Sequence, residues 1–571
     1  MTAILWHTSV VIASAPIKEA FAEVRDKVSI ERSCQPGREI QLVLPLQEAA
    51  RLDCRQLEVG LTEVLLWGDS NDSRKARMAA IWEDGHTSYF TPSFGKFQKM
   101  WIPSPPRVVF FRTLELHDKK IHARIHVETD TNIIIDVLKR TRNKILNSIN
   151  YQDRLTSFVH LWTEVKYNFA FFDQVPEVNW EGMLEEYLPK VQKEQTTQEY
   201  YKLLQACFAK LNDGHTDIGV PPALRKTIPP LLIRPIEGKA IVQLAEKVDE
   251  IVRAGITTGM EITHIDGRSV SSILDNDIYP YICAGTSQYK DRKAYSQLLA
   301  GDMGSKVNIR FIDMQGVTCE AILTRLYAIH RVPFNQPLFE YKKLKDGIIY
   351  VALNSFSDER IVREFDSVFG EIKNAKGLII DVRENGGGNS SYGNAIIGRL
   401  TDKPLSGSRW KSPQHIAAFK AWKRQEQWYE GGVNSVPLRE GQPFLRPVVV
   451  VTGAGTISAA EDFLIPLHAS GRAILVGEKT AGTTGQPLII ELPRGGKARI
   501  CTKRDMYPDG REFVGIGIVP DIEVHPTQKD IYHGRDAILE KALQIIKEQV
   551  ILHSHTKAST KRMACNTNSR Y

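Results

Sequence analysis

The chain lacks paired cysteines: its seven, at positions 34, 54, 207, 283, 319, 501 and 565, stand singly, and no Cys-x-x-Cys occurs. That excludes a zinc ribbon or a thioredoxin-type motif, and an odd, sparse set reads as mostly buried free thiols. Long apolar runs are missing as well, since no stretch reaches the roughly 18 residues that an ordinary membrane-spanning helix needs. Charge of one sign is scarce too. The 74 Lys+Arg against 67 Asp+Glu leave +7 over 571 residues, without the concentrated basic stripe of a dedicated nucleic-acid binder. What remains is an ordinary globular composition, 42% hydrophobic and 25% charged. It is rich enough to bury several cores, and the length implies about four domains, or two or three large ones.

The N-terminus supports two readings. Residues 3–15 are an apolar stretch ending in Ala13-Ser14-Ala15, as a secretory leader would. A charged leading segment is absent, His7 interrupts the stretch and Pro16 would follow the cut, which favours the first strand of a folded domain. The compartment stays open on this ground.

Residues 1–128 alternate as strands do, at 40–44, 61–67, 108–111 and 121–127, with turn clusters such as Gly68-Asp-Ser-Asn-Asp-Ser73 between them. A β-rich domain of unknown role is expected there. Residues 129–220 read as a helical segment. Its last helix places Tyr201, Leu204, Phe208 and Leu211 on one face, with Thr196 or Thr197 as N-cap. Asn212-Asp213-Gly214 stops that helix, Gly214 being suited to a left-handed turn, and the next residue is His215. Residues 221–327 read as short strands and turns, and 254–268 resemble the hairpin core of a PDZ domain. Over 328–532 the pattern becomes parallel α/β. Lys376-Gly-Leu-Ile-Ile-Asp381, Pro447-Val-Val-Val-Val-Thr452 and Ala473-Ile-Leu-Val-Gly477 are short, apolar and β-branched, as strands buried on both faces should be. A helix over 458–469 completes a βαβ unit. Residues 533–571 are expected to form a C-terminal helix and a polar tail.

Chemistry concentrates after the 447–452 strand. Gly453-x-Gly455 followed by Ser458, with Glu478 beyond the next strand, approximates a dinucleotide fingerprint whose third glycine is replaced. The alternative makes Ser458 a nucleophile at a helix N-terminus, where free amides and the helix dipole favour developing negative charge. The Ala459 amide would then be one oxyanion donor. A second would come from Gly386 or Gly387 in Asp381-Val-Arg-Glu-Asn-Gly-Gly-Gly388, since glycines let backbone amides approach a ligand.

Five ordered motifs extend the second reading: Leu211-Asn-Asp-Gly-His-Thr216, the glycine triplet segment, Thr456-Ile-Ser-Ala-Ala-Glu461, Val476-Gly-Glu-Lys-Thr-Ala-Gly482 and Gly517-Ile-Val-Pro-Asp521. Over roughly residues 150–530 the chain resembles the S41 peptidases, the family of the tail-specific (carboxy-terminal processing) proteases and the tricorn core. The resemblance implies a multidomain α/β protein with a ClpP/crotonase-like spiral core and an inserted PDZ-like domain. It also implies a serine endopeptidase with Ser458 as nucleophile, a polypeptide substrate, and no metal or cofactor. It leans towards an extracytoplasmic site, periplasmic or secreted.

The tail-specific branch has a lysine base where this chain has Thr483, and Lys479 aligns with a variable position. The tricorn branch uses a histidine, which matches His215, supported by a serine and a glutamate. Those two positions hold Gly214 and about Val514, with Glu512 two residues away. His215 is therefore the expected base, with Asp213, Glu461, Glu512 and Thr483 as candidates to orient it. A histidine at its ordinary pKa predicts activity rising through about pH 6–7. The competing function is a catalytically inactive protein of the same fold that binds a peptide or an apolar ligand.

Overall fold

The computed structural model describes eight strand segments between residues 39 and 128, and then residues 149–329, 336–425 and 427–567. The apolar stretch at 3–15 lies outside the described residues. Two compact units divide the chain, 1–141 and 142–571.

In the first unit the alternating segments form two four-stranded antiparallel sheets. One runs in the order Glu39–Pro45, Lys120–Glu128, Pro106–His117, Gln98–Pro103; the other follows chain order through Ala49–Asp53, Leu61–Asp69, Asp72–Trp82 and Thr87–Phe90.

The second unit opens with three helices, Tyr151–Asn168, Trp180–Gln192 and Thr197–Ala209. The third starts at Thr196, whose side chain accepts from the Glu199 amide while Glu199 reaches back to the Thr196 amide. Tyr201, Leu204, Phe208 and Leu211 are all buried, as a single apolar face requires. At the end of this helix the left-handed residue is Asn212 (φ 46°), not Gly214. The glycine is needed for space: a Cβ at Gly214 would lie 2.7 Å from Thr483 Oγ1 and 2.7 Å from Tyr289 Cε1.

A six-stranded antiparallel sheet follows, five of its strands in the order Leu231–Ile236, Lys239–Ala245, Glu261–Ile265, Lys306–Ile312, Thr318–Thr324, with Arg268–Ser269 pairing Glu261–Ile265 off that path. They enclose a core of their own with Ile251, Leu274 and Leu298. Helix Ser287–Ser296, capped by Thr286, packs Ala294 and Tyr295 into this core.

A second six-stranded sheet has the order Phe339–Lys343, Ile348–Leu353, Gly377–Asp381, Val448–Thr452, Ile474–Gly477, Ile522–Glu523, and every pairing after the first is parallel. All five residues of Gly377–Asp381 and of Val448–Thr452 are buried, which is why neither strand shows polar alternation. Helix Ala459–Ala469 covers one face, and the C-terminal helix Ala537–Thr567 lays Ile538, Ala542 and Ile546 on the other. That helix runs to Thr567, past the point where the polar sequence predicts a tail. The fold is thus mixed α/β with several sheets. Cys207, Cys283 and Cys501 are buried free thiols. Among the described residues no helix is long and apolar enough to cross a membrane.

Candidate active site

Two chain segments far apart in sequence meet because of strand pairing. Asp217–Gly219 joins Gly496–Cys501 antiparallel, with Asp217 opposite Arg499, and the two side chains form an ion pair. The Thr216 hydroxyl donates to Asp213, and the Cys501 amide donates to Thr216 Oγ1. The Asp213–Thr216 loop is thereby fixed against the sheet that follows the Ala481–Gln486 loop.

On that loop His215 is buried, and its two ring nitrogens are both engaged. Nε2 lies 3.1 Å from Ser458 Oγ, and Nδ1 lies 2.7 Å from Thr483 Oγ1. If Nδ1 carries the proton and donates it to Thr483, Nε2 faces the serine hydroxyl with a free lone pair. Burial pulls the imidazole pKa down to about 4, with Arg499 adding to the effect and Asp217 opposing it. The ring is therefore neutral across the physiological range.

Ser458 sits between the Val448–Thr452 strand and its helix at φ 57°, ψ −123°. A left-handed backbone on a non-glycine residue costs on the order of 1–3 kcal/mol and persists only where its surroundings impose it. Here the Ser458 amide donates to the Thr483 carbonyl (3.0 Å) and to Glu461 Oε2 (3.3 Å). Glu461, one turn along the helix, is wholly buried. Its carboxylate also accepts from the Gly482 amide (2.8 Å), the Thr483 amide (2.9 Å) and the Thr480 hydroxyl. Burial raises its pKa to about 7 despite these donors. Glu461 thus clamps the nucleophile turn to the loop that supports His215, and it reaches the imidazole only through Thr483.

The other expected orienters lie elsewhere. Asp213 is buried with Thr216 as its partner and its pKa pushed up to about 6 by burial. Glu512 pairs with Arg504, which also holds Asp173. Val514 is a buried apolar residue. Lys479 has no hydrogen bond or ion pair among the described residues.

The glycine triplet packs directly under the nucleophile. A Cβ on Gly387 (φ 88°) would stand 2.6 Å from the Ile457 carbonyl and 2.8 Å from Ser458 Cβ. Its amide, expected as an oxyanion donor, instead donates to Asn385 Oδ1 at 2.9 Å. Asn385 is itself fixed to the Leu353 carbonyl, so Gly387 serves by its shape. The amides of Gly386 and Ala459 have no partner among the described residues. Gly387→Ala is accordingly expected to lower both turnover and thermal stability, since a side chain must either displace Ser458 or open the loop. Parallel hydrolysis and melting measurements check this, and an unchanged Tm with full turnover would contradict it.

Asn385 and Gly482 were absent from the sequence-based site. Asn385 stands one residue before the triplet, a position where Asn commonly bonds a backbone amide two residues on. No local signal marks the Glu461–Gly482 contact.

Two protein families match parts of this chain. Residues 347–524 match peptidase family S41, and residues 150–209 match the Tricorn protease C1 domain. Carboxyl-terminal-processing peptidase 3, chloroplastic, of Arabidopsis thaliana is 25% identical over 301 residues, 51% of this chain and 51% of the relative. Carboxy-terminal processing protease CtpA of Bacillus subtilis (strain 168) is 24% identical over 296 residues, 51% of this chain and 53% of the relative. The chain spans about half the length of these curated relatives. Among solved structures, mature CPAF complexed with lactacystin superposes with a TM-score of 0.58 at 15% identity, covering 71% of this chain and 100% of that one, and so shares the fold. By these matches the α/β segment at 347–524 is similar to peptidase family S41, and the helical segment at 150–209 to the Tricorn protease C1 domain.

Proposed function

We propose that this protein is a serine-type endopeptidase of the tail-specific kind, acting on polypeptide through Ser458 with His215 as base. The observation that carries the reading is the 3.1 Å approach of His215 Nε2 to Ser458 Oγ on a strained strand-to-helix turn. In this mechanism Nε2 takes the hydroxyl proton as Oγ attacks the scissile carbonyl. The amides of Gly386 and Ala459 hold the resulting oxyanion, and the imidazolium returns its proton to the leaving amine. Water then hydrolyses the acyl-enzyme by the same exchange. Thr483 fixes the tautomer and ring angle by accepting from Nδ1–H. Because its hydroxyl is neutral, the imidazolium gains less stabilisation here than from a carboxylate, and modest turnover is expected.

In the same reading residues 221–327 are a PDZ-like module that grips or gates the peptide, residues 328–532 form a ClpP/crotonase-like core, and residues 1–128 are a separate β-rich domain. The family matches and the module's independent hydrophobic core support this division. Labelling of the full chain by a fluorophosphonate tests the assignment. A chain that binds peptide but is never labelled would be the inactive binder instead.

The acid limb of kcat/KM is a sharper test. A base must be unprotonated, so a pKa of about 4 keeps His215 competent at pH 5, where a solvent-exposed histidine would be mostly protonated. Activity should therefore hold to about pH 5 and fall towards pH 4, below the limb that the sequence alone predicts. Stability has the same sign. Below pH 6.5 the unfolded chain binds a proton that the folded site refuses until about pH 4, so this contribution is present above 6.5 and is lost as pH falls through 4. An acid limb centred at 6–7 that persists in folded Glu461→Gln, and so does not come from the Glu461 carboxyl with its own value of about 7, would contradict the burial argument.

A further inference from the structure

Gly453 and Glu478 of the dinucleotide-like fingerprint line a cavity. With Ala454 they line a 570 Å³ space at the carboxyl ends of the parallel strands. The antiparallel module contributes Arg234, Gln243 and Arg292 to the lining. The crevice beyond the carboxyl ends of a parallel sheet is where such folds take ligands, and this volume is of small-molecule size.

Charge pairing in the cavity is uneven. Arg383 is held by Asp381 and Asp536, and Arg535 by Asp530 and Glu540. Arg292 takes both oxygens of Glu384. Arg234 has only a 3.8 Å approach to that same carboxylate as counter-charge; its Nη1 donates to the Ile233 carbonyl (3.3 Å), and its buried Nε has no acceptor. Burial, with Arg292 nearby, lowers its pKa to about 9, as for a cation short of counter-charge. A second orphan sits beside it. Gln243 Oε1 is buried without a partner, on the strand paired with that of Arg234. A buried donor and a buried acceptor, both unmet in one cavity, are destabilising unless something supplies their partners.

We propose that this cavity binds a phosphate-bearing small molecule, whose phosphate oxygens accept from the Arg234 guanidinium and whose P–OH or neighbouring hydroxyl donates to Gln243. A phosphate suits the site because it offers several acceptor oxygens to guanidinium forks and, when partly protonated, a donor as well. Glu478 is engaged with His525, and the helix N-terminus after Gly455 belongs to Ser458. The ligand is therefore held by arginine, not in the dinucleotide manner.

Position gives the site its interest. Helix Ser287–Ser296 presents Arg292 to the cavity, and one turn earlier Gln288 donates to the Thr480 carbonyl (2.9 Å), on the loop that leads to Thr483. An occupant would thus hold the inserted module against the loop that supports His215.

The test uses the full chain with inorganic phosphate and pyrophosphate as probes, at constant ionic strength set by chloride. Binding should raise Tm by about 2 °C or more at saturation and give a saturable calorimetric signal. Arg234→Gln should weaken it at least about tenfold. Gln243→Glu places a carboxylate beside Arg234 and should abolish phosphate binding while holding or raising Tm without phosphate, which separates loss of the site from loss of the fold. Absence of any shift in the wild type, or phosphate binding unchanged in folded Gln243→Glu, overturns the proposal. The readout is independent of hydrolysis, so failure of fluorophosphonate labelling would sink the peptidase reading alone.

Discussion

Ser458→Ala is expected to abolish peptide hydrolysis and fluorophosphonate labelling while the fold stays intact. The hydroxyl's partner here is the His215 ring, whereas the backbone contacts that hold the turn, to the Thr483 carbonyl and Glu461, involve only the amide and survive the change. Alanine meets the same left-handed backbone that serine already tolerates. The loss in kcat should be about 10⁴-fold or more, as for removal of a nucleophile from a coupled site, with Tm nearly unchanged. Casein or an unfolded peptide serves as substrate. Wild-type turnover in a folded Ser458→Ala protein would end the nucleophile assignment.

His215→Ala should cost at least about a hundredfold in turnover, the usual loss on removing a general base. Comparison variants make the result specific. Thr483→Val leaves a buried Nδ1–H without an acceptor, a penalty of about 1–3 kcal/mol, and should lower kcat by about ten- to a hundredfold with KM largely kept. Lys479→Ala should be mild, because that side chain has no bond to the site. If Lys479→Ala abolished turnover and His215→Ala did not, the base would be the lysine and the reading of this site would be wrong.

How far the site could be read from the sequence depended on how local each signal was. Ser458 and His215 each follow a recognisable stop, a strand running into a helix in one case and a helix running into a turn in the other. Thr483 was visible as a departure from a lysine, but its bond to His215 spans 268 positions and nothing nearby encodes it. Glu461 reads as a first-turn helix acid, a type usually facing water. It is buried because this helix starts inside the sheet's carboxyl edge, where the Ala481–Gln486 loop folds over it. The pKa of His215 was misjudged for the same reason: pattern gives residue type, whereas burial and the field of Arg499 arise only after the Asp217–Gly219 strand has paired. Strands buried on both faces were the most legible part of the fold, since their uninterrupted β-branched runs follow directly from being covered by helices above and below.

Gly214 constrains the order in which such a site can change. The space where its Cβ would stand is taken by the Thr483 hydroxyl, at 2.7 Å. Support from a serine preceding the histidine and support from a threonine at 483 are therefore mutually exclusive within one backbone. A lineage moving from the first arrangement to the second must give up its side chain at 214 before, or together with, gaining the threonine, because the opposite order passes through an overlap in the heart of the site. Substitutions at these two positions are thus coupled by geometry: Gly214→Ser should be harmful beside Thr483, and a smaller residue at 483 should relieve only part of the harm, because the Tyr289 ring stands at the same 2.7 Å.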